Sequence, residues 1–331
     1  MVFDEAQAEF DAFMAKFPRS PRFAEAWYLT GRCRYELDNF ADAITTLIEM
    51  RNGFPDSPFV ENADYYVGRS EYEAGAFSDA AAELSSFELK YPESEYLDDS
   101  RYYLGRTFYD QDRWTDSIEP FIRVLGMSAT EFADGASYFL GRSRFELGHF
   151  GDAIPDFARV LRIDRNSSFA GNAQYYIGRS YYEVGDLDIA ARELKVAEFT
   201  YPDSDYLAAS RYYLGRSFYD RDDFSAAVPP FERLIELPDE DTSLRDDGLF
   251  YLGRSRYELV DLPNALLPFQ EIETAYPMSN FVDNALHYQA RIYTDMGDCP
   301  SAQAAVDRLR AQFPTSSELT RAVNYMAGHG C

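Results

Sequence analysis

Lysine, histidine and cysteine are scarce in this sequence, with three residues of each type among 331. Nearly all of the positive charge is therefore arginine, and the 31 basic residues are outnumbered by 57 acidic ones, which gives a formal charge of -26. Binding to nucleic acid needs a basic surface that displaces counterions from phosphates. The charge balance argues against a nucleic-acid partner, and it equally disfavours an anionic membrane surface.

Long apolar runs are also missing. No segment approaches the roughly 18 apolar residues that a membrane span requires. The first ten residues are acidic and lack the order of a signal peptide, which is a basic segment followed by an apolar one. We predict no membrane span, and we expect either a cytosolic protein or one from which an export signal has been removed.

Side chains arranged for catalysis or metal binding are missing too. The three histidines, His149, His287 and His329, fall in no metal-binding or catalytic motif. There is no glycine-rich phosphate loop and no nucleophile with a recognisable base. The sequence thus predicts no enzyme activity, no cofactor, no metal site and no small-molecule substrate. Cys299 and Cys331 both lie near the C-terminus and could form a disulfide if the loop geometry brings them together.

A Gly-Arg pair recurs through the chain at spacings of 36 to 38 residues. Apolar and small residues around each glycine return at the i, i+3, i+4 and i+7 intervals of a helix. Twelve residues after each glycine comes a small residue, and four further on a large one, which predicts a second helix that crosses the first closely. The glycines are Gly31, Gly68, Gly105, Gly141, Gly178, Gly215 and Gly253, and Ala290 takes the eighth place.

Many repeats end in an aromatic-Pro-x-Ser element, such as Tyr91-Pro92-Glu93-Ser94. Proline cannot continue a helix, and serine is a favoured N-cap residue. We therefore expect one helix to end at the proline and the next to begin at the serine.

Helix pairs with this glycine, an alanine twelve residues later and a terminal proline resemble tetratricopeptide (TPR) repeats, over essentially the whole chain. The resemblance implies an all-α fold, a TPR helix-turn-helix solenoid that forms a right-handed superhelix. We expect an N-terminal half repeat, with the second helix only, at residues 1–17. Eight TPR-like repeats in one continuous solenoid follow at 18–314, and a C-terminal capping helix at 315–331.

The Tyr-Pro-Asp-Ser linkers and the Tyr-Tyr-Leu-Gly core resemble bacterial cell-envelope TPR proteins, of the Tol-Pal-associated periplasmic and outer-membrane-assembly lipoprotein types. This resemblance implies a scaffold that binds partner proteins or peptides in the periplasm or cell envelope, with the cytoplasm as the other location. A structural alternative stays open, since the chain opens on a second helix and ends on a first one. Copies could assemble head-to-tail into a filament or a ring.

In TPR solenoids the first helix of each repeat lines the concave surface, so a partner is expected on its exposed stripe. Tyrosine lies three residues before most glycines, arginine one after, and tyrosine four after, followed at once by an acid. These intervals place the side chains on one helical face, and tyrosine and arginine are enriched at binding hot spots. The predicted partner-binding residues of the concave face are Tyr65, Arg69, Tyr72, Tyr102, Arg106, Tyr109, Tyr138, Arg142, Tyr175, Arg179, Tyr182, Tyr212 and Arg216.

The arginines allow two interpretations. Each has an acid four residues later, but that order stabilises a helix by roughly a few tenths of a kcal/mol at best. Contacts from arginine to acid between neighbouring repeats explain the pattern better. Several arginines could also contact a ligand, and an extended peptide with carboxylates would then suit the guanidinium groups. The two roles can coexist.

Overall fold

The computed structural model describes residues 2–127, 130–238 and 243–331, and within these ranges every regular element is an α-helix. The all-helical prediction is confirmed. First and second helices of each repeat alternate along the chain, as the glycine and alanine positions predict. Their contacts divide the chain into two compact units, Met1–Phe169 and Ala170–Cys331. The continuity of one solenoid over residues 18–314 stays a prediction.

The first unit has nine helices in its described residues. They are α1 (Val2–Lys16), α2 (Phe23–Glu36), α3 (Phe40–Gly53), α4 (Val60–Glu73), α5 (Phe77–Lys90), α6 (Leu97–Asp110), α7 (Trp114–Leu125), α8 (Ala133–Glu146) and α9 (Phe150–Ile163). Each helix packs against the next along the chain. α1 corresponds to a second helix, and four helix pairs follow it.

The second unit also has nine helices in its described residues. They are α10 (Ala170–Glu183), α11 (Leu187–Thr200), α12 (Leu207–Tyr219), α13 (Phe224–Ile235), α14 (Arg245–Glu258), α15 (Leu262–Ala275), α16 (Val282–Asp295), α17 (Cys299–Gln312) and α18 (Ser317–Gly328). Four helix pairs are followed by α18, which packs against α16 and α17.

The glycine of each Gly-Arg pair lies where the two helices of a repeat touch. A Cβ atom on Gly105 would lie 2.6 Å from the ring of Phe121, and one on Gly31 would lie 2.6 Å from Leu47. Phe121 and Leu47 are fully buried. The absence of a side chain on the first helix therefore makes room for the large side chain of the second.

The aromatic-Pro-x-Ser linkers end one helix as expected, but the next helix begins later than the sequence predicts. α4 begins three residues after Ser57, whose Oγ accepts a hydrogen bond from the backbone N–H of Phe59 at 3.3 Å. The serine therefore caps a turn that precedes the helix. This added turn brings the ring of Phe59 onto Tyr28, with centroids 5.4 Å apart. At α18 the prediction fits, because Ser316 is the N-cap residue.

Several contacts fasten α18 to the rest of the second unit. Ser316 Oγ donates to Asp283 at 2.7 Å, and Glu318 Oε2 lies 2.5 Å from His287 Nδ1. Burial lowers the pKa of His287, although the adjacent Glu318 carboxylate opposes this shift. Cys299 and Cys331 are joined in a disulfide with Cα atoms 5.1 Å apart, and the formation of this bond in solution stays a prediction.

Candidate partner-binding face of the first helices

Three side chains at the end of each first helix form a repeated set, which we call the ladder. They are the arginine after the glycine position, the aromatic residue three positions later, and the acid that follows. In the first unit the ladder comprises Arg32, Tyr35, Glu36, Arg69, Tyr72, Glu73, Arg106, Tyr109, Asp110, Arg142, Phe145 and Glu146. In the second unit it comprises Arg179, Tyr182, Glu183, Arg216, Tyr219, Asp220, Arg254, Tyr257, Glu258, Arg291 and Asp295. The last set lacks the aromatic residue, because Thr294 occupies that position.

The ladder arginines lie over aromatic rings of the following repeat. The guanidinium carbon of Arg69 is 3.2 Å from the ring centre of Tyr103, a cation–π contact. Similar contacts join Arg106 to Phe139 at 3.9 Å, Arg179 to Tyr213 at 3.5 Å and Arg216 to Tyr251 at 4.2 Å. Each of these arginines therefore links two neighbouring repeats.

The same arginines pair with acids. Arg69 Nη2 lies 3.0 Å from Glu73 Oε1, four residues later in the same helix. Its Nη1 is 2.9 Å from Asp99 of the next repeat, and its Nη2 donates to the Tyr35 hydroxyl of the previous repeat at 2.8 Å. Arg69 thus contacts three consecutive repeats and is almost fully enclosed.

The ladder tyrosines extend this linkage through their hydroxyl groups. Tyr72 donates to Asp110 of the next repeat at 2.8 Å. In the second unit Tyr182 donates to Asp220 at 2.6 Å. One acid therefore receives an arginine from its own helix and a phenol from the preceding repeat. These contacts favour the inter-repeat interpretation of the arginines, and a ligand role remains a proposal.

Five tyrosines that were predicted on the binding face are buried instead. The expectation that the tyrosine three residues before the glycine is exposed on the binding face is wrong, because Tyr65 is only 4% exposed. Its ring stacks on that of Tyr96 in the next repeat, with centroids 4.3 Å apart and planes 15° apart. These tyrosines pack neighbouring repeats together and offer no contact surface. The buried residues are Tyr65, Tyr102, Tyr138, Tyr175 and Tyr212.

The rings beneath the arginines were not singled out from the sequence. Tyr103, Phe139, Tyr213 and Tyr251 all lie two residues before a glycine position. The sequence pattern that could have identified these rings is the aromatic doublet, as in Tyr102-Tyr103. One ring of the doublet packs in the interior, and the other lies under the arginine of the previous repeat. The ladder therefore needs both members of the doublet.

Comparisons with known proteins agree with this architecture. A family model described as outer membrane lipoprotein matches residues 30–177, and a tetratricopeptide-repeat model matches residues 208–280. The chain is a tetratricopeptide-repeat protein. It resembles the type associated with the bacterial envelope, on the strength of the lipoprotein match. No match was found among curated proteins.

The solved structures that are similar to this TPR protein include the following two. The C-terminal part of a TPR repeat-containing protein from Cytophaga hutchinsonii is 17% identical, with a TM-score of 0.63 over 78% of this chain and 98% of that chain. A tetratricopeptide repeat protein from Parabacteroides merdae is 12% identical, with a TM-score of 0.50 over 81% of this chain and 98% of that chain. At these identities the similarity concerns the fold alone.

The ladder of the TPR protein holds its phenols in the neutral form. Burial raises the pKa of Tyr35 to about 12, and burial likewise raises the pKa of Tyr72. Both hydroxyl groups therefore keep their protons at physiological pH, and that of Tyr72 donates to a carboxylate. The formal charges of the ladder are therefore those of its carboxylates and its arginines.

The described part of the chain contains no group of three or more His, Cys, Asp and Glu side chains that could hold a metal ion. None of its helices is both long enough and apolar enough to cross a membrane. The ladder is therefore the feature that we consider as the candidate functional site.

Proposed function

We propose that this TPR protein is a non-catalytic scaffold that binds a segment of a partner protein along the ladder face of its first helices. One observation carries the proposal: the same arginine, aromatic and acid set returns at the end of first helix after first helix, at the same register. A surface that repeats in this way suits an extended segment, which can contact several repeats in succession.

The contacts within the ladder support this role physically. Stacking over the ring of the next repeat and pairing with acids hold the side chains in fixed rotamers before a partner arrives. Side chains that are already ordered lose little conformational entropy on binding, so more of the contact energy contributes to affinity. The lipoprotein-family match supports a location in the bacterial cell envelope, which we include in the proposal.

Head-to-tail assembly through the ends receives less support. α18 carries Arg321, Asn324 and Gly328 at the positions where α4 carries Asn62, Tyr65 and Arg69. It therefore lacks the buried tyrosine and the stacked arginine through which first helices contact the following repeat. A second copy docked on this side would find neither contact, so we favour the scaffold over the filament.

Site-specific photocrosslinking tests the proposal. Benzoylphenylalanine at Tyr109 keeps an aromatic ring on the ladder face, whereas the same group at Leu89 lies on α5, where the side chain is 85% exposed. We expect irradiation of cells that produce each variant to capture a partner from position 109 and not from position 89. Capture of the partner from position 89 alone would reject the ladder face.

A further inference from the structure

The positive charge of the ladder is largely withdrawn from solvent in the second to fourth repeats of the first unit. The Arg69 side chain is 9% exposed and the paired Glu73 side chain is 34% exposed. In the third repeat the values are nearly equal, 23% for Arg106 and 25% for Asp110, and in the fourth they are 18% for Arg142 and 31% for Glu146. A partner segment therefore meets carboxylates more readily than guanidinium groups in the second and fourth repeats, and meets the two charges about equally in the third. The first repeat differs, because Arg32 is 44% exposed.

The ladder acids also lie where helix electrostatics disfavours them. Seven first helices end on the ladder acid, and in α12 the acid, Asp220, is the C-cap residue. A helix C-terminus carries a partial negative charge, so a cation there is stabilising and an anion is not. The ends of the first helices thus combine two sources of negative potential. In the first unit we call the acids Glu36, Glu73, Asp110 and Glu146 the carboxylate edge.

Each acid of this edge pairs with the ladder arginine of its own helix. The three lysines, Lys16, Lys90 and Lys195, belong to α1, α5 and α11, all of which are second helices. Further arginines of the first helices are directed at acids of second helices. These contacts are Arg101 to Glu88 at 2.9 Å, Arg144 to Asp156 at 2.6 Å and Arg211 to Glu198 at 3.0 Å.

We propose that the partner segment bound by the ladder face is cationic, with lysine or arginine side chains that contact the carboxylate edge. This inference rests on the proposed function and specifies the chemistry of the partner. It reverses the expectation of a peptide with carboxylates, because the arginines that would have attracted such a peptide already bind the ladder acids and the rings beneath them. Charge complementarity therefore selects a basic segment.

Geometry gives the expected spacing of the cations. Packed neighbouring helices are roughly 10 Å apart, and an extended chain advances about 3.3 Å per residue. A basic residue at every third position can therefore meet one acid of the carboxylate edge per repeat.

The test uses the full chain and two fluorescein-labelled peptides of equal length, with either lysine or glutamate at every third position and glycine and serine between. We expect the lysine peptide to bind, with an affinity that falls as salt increases, and the glutamate peptide not to bind. The variant Glu73→Gln, Asp110→Asn, Glu146→Gln removes three edge charges but keeps acceptor oxygens for the arginines and Tyr72. It should weaken binding of the lysine peptide by about tenfold, which three exposed charge pairs can supply.

A matched control removes the same number of charges elsewhere in the first unit, by Asp56→Asn, Glu93→Gln and Glu95→Gln in exposed linkers. Its affinity should stay within about twofold of the unchanged chain, because exposed charges more than a Debye length away are screened. Equal weakening in both variants would overturn the inference, since binding would then follow net charge alone. Preference for the glutamate peptide, or no binding of either peptide, would also overturn it. If a partner is captured by photocrosslinking from position 109 but the lysine peptide does not bind, the inference of a cationic partner fails while the proposed scaffold function stands.

Discussion

Glu71 on α4 offers a direct test of the electrostatics inside a repeat. Glu71 lies three residues after the glycine of its repeat, and at this position two other first helices of the first unit carry arginine. One of these arginines, Arg144, pairs with Asp156 of its own second helix at 2.6 Å. In the second repeat the facing position is Glu83, so two carboxylates oppose each other. One Glu71 oxygen, Oε2, is buried without a hydrogen-bond partner. Burial raises the pKa of Glu71 to about 7, and the charges of Glu83 and Asp79 add to the shift while Arg51 opposes it.

The sign of the pH dependence follows from this shift. The ordinary pKa is 4.5, so the unfolded chain ionises at a lower pH than the folded one. Above pH 7 Glu71 is ionised in both the folded and the unfolded chain, and the buried charge destabilises the folded chain by at most about 3 kcal/mol. As the pH falls through 7 the folded state takes up a proton and the cost shrinks, and it vanishes below the pKa of the unfolded chain.

The variant Glu71→Gln removes the charge and should therefore stabilise the fold in a pH-dependent way. We expect its free energy of unfolding, measured in urea by circular dichroism, to be higher than that of the unchanged chain by about 2 kcal/mol near pH 8. Near pH 4.5 the two free energies should differ little. Glu71→Arg should stabilise as well, because it recreates the pair of Arg144 and Asp156. Glu95→Gln, at an exposed linker position, is the control. A gain from Glu71→Gln that is the same at both pH values would refute the reasoning.

Three further predictions concern packing. Gly105→Leu should destabilise the fold by about 3 kcal/mol or more, because the new side chain overlaps Phe121. The loss of hydrogen-exchange protection should concentrate in the adjacent repeats of that unit, and uniform loss would contradict this expectation. Tyr65→Ala should cost about 3 kcal/mol or more in thermal unfolding while Tyr65→Phe costs about 1 kcal/mol or less, and equal costs would show that the stacked ring is not the cause. Cys331→Ser should lower the free energy of unfolding by about 3 kcal/mol in non-reducing buffer, and titration of three free thiols in the unreduced, denatured chain would instead exclude the disulfide with Cys299.

The repeat architecture could be predicted because its cause is local. Each helix crossing is one close contact between a glycine and a large residue sixteen positions later, such as Phe121. That contact recurs at a nearly constant spacing along the chain. Helix boundaries could be predicted less well. Ser57 is a plausible N-cap from sequence, yet a turn of three residues intervenes because Phe59 has to reach the ring of Tyr28.

The exposed face could be predicted only in part, because each first helix is covered on several sides. In α4 the nine consecutive residues from Ala63 to Glu71 are buried, so a helical period cannot distinguish a covered side from an open one. Tyr65 and Tyr66 look equivalent in sequence. Both rings are buried, and the next repeat decides which of them is stacked, because its Tyr96 lies face to face with Tyr65 and edge-on to Tyr66. That contact has no local signal in the sequence.

The shared role of the ladder arginines decides which substitutions can report on binding. Arg106→Ala would remove the stack on Phe139 and the partner of Asp110 together, so any loss of binding would coincide with loosened repeat packing. Asp110→Asn keeps an oxygen that accepts from Tyr72 and removes only the charge. The charge of the face can therefore be changed acid by acid while the contacts between repeats remain. A scaffold built in this way can alter its preference for partners through helix-end substitutions that cost its fold little.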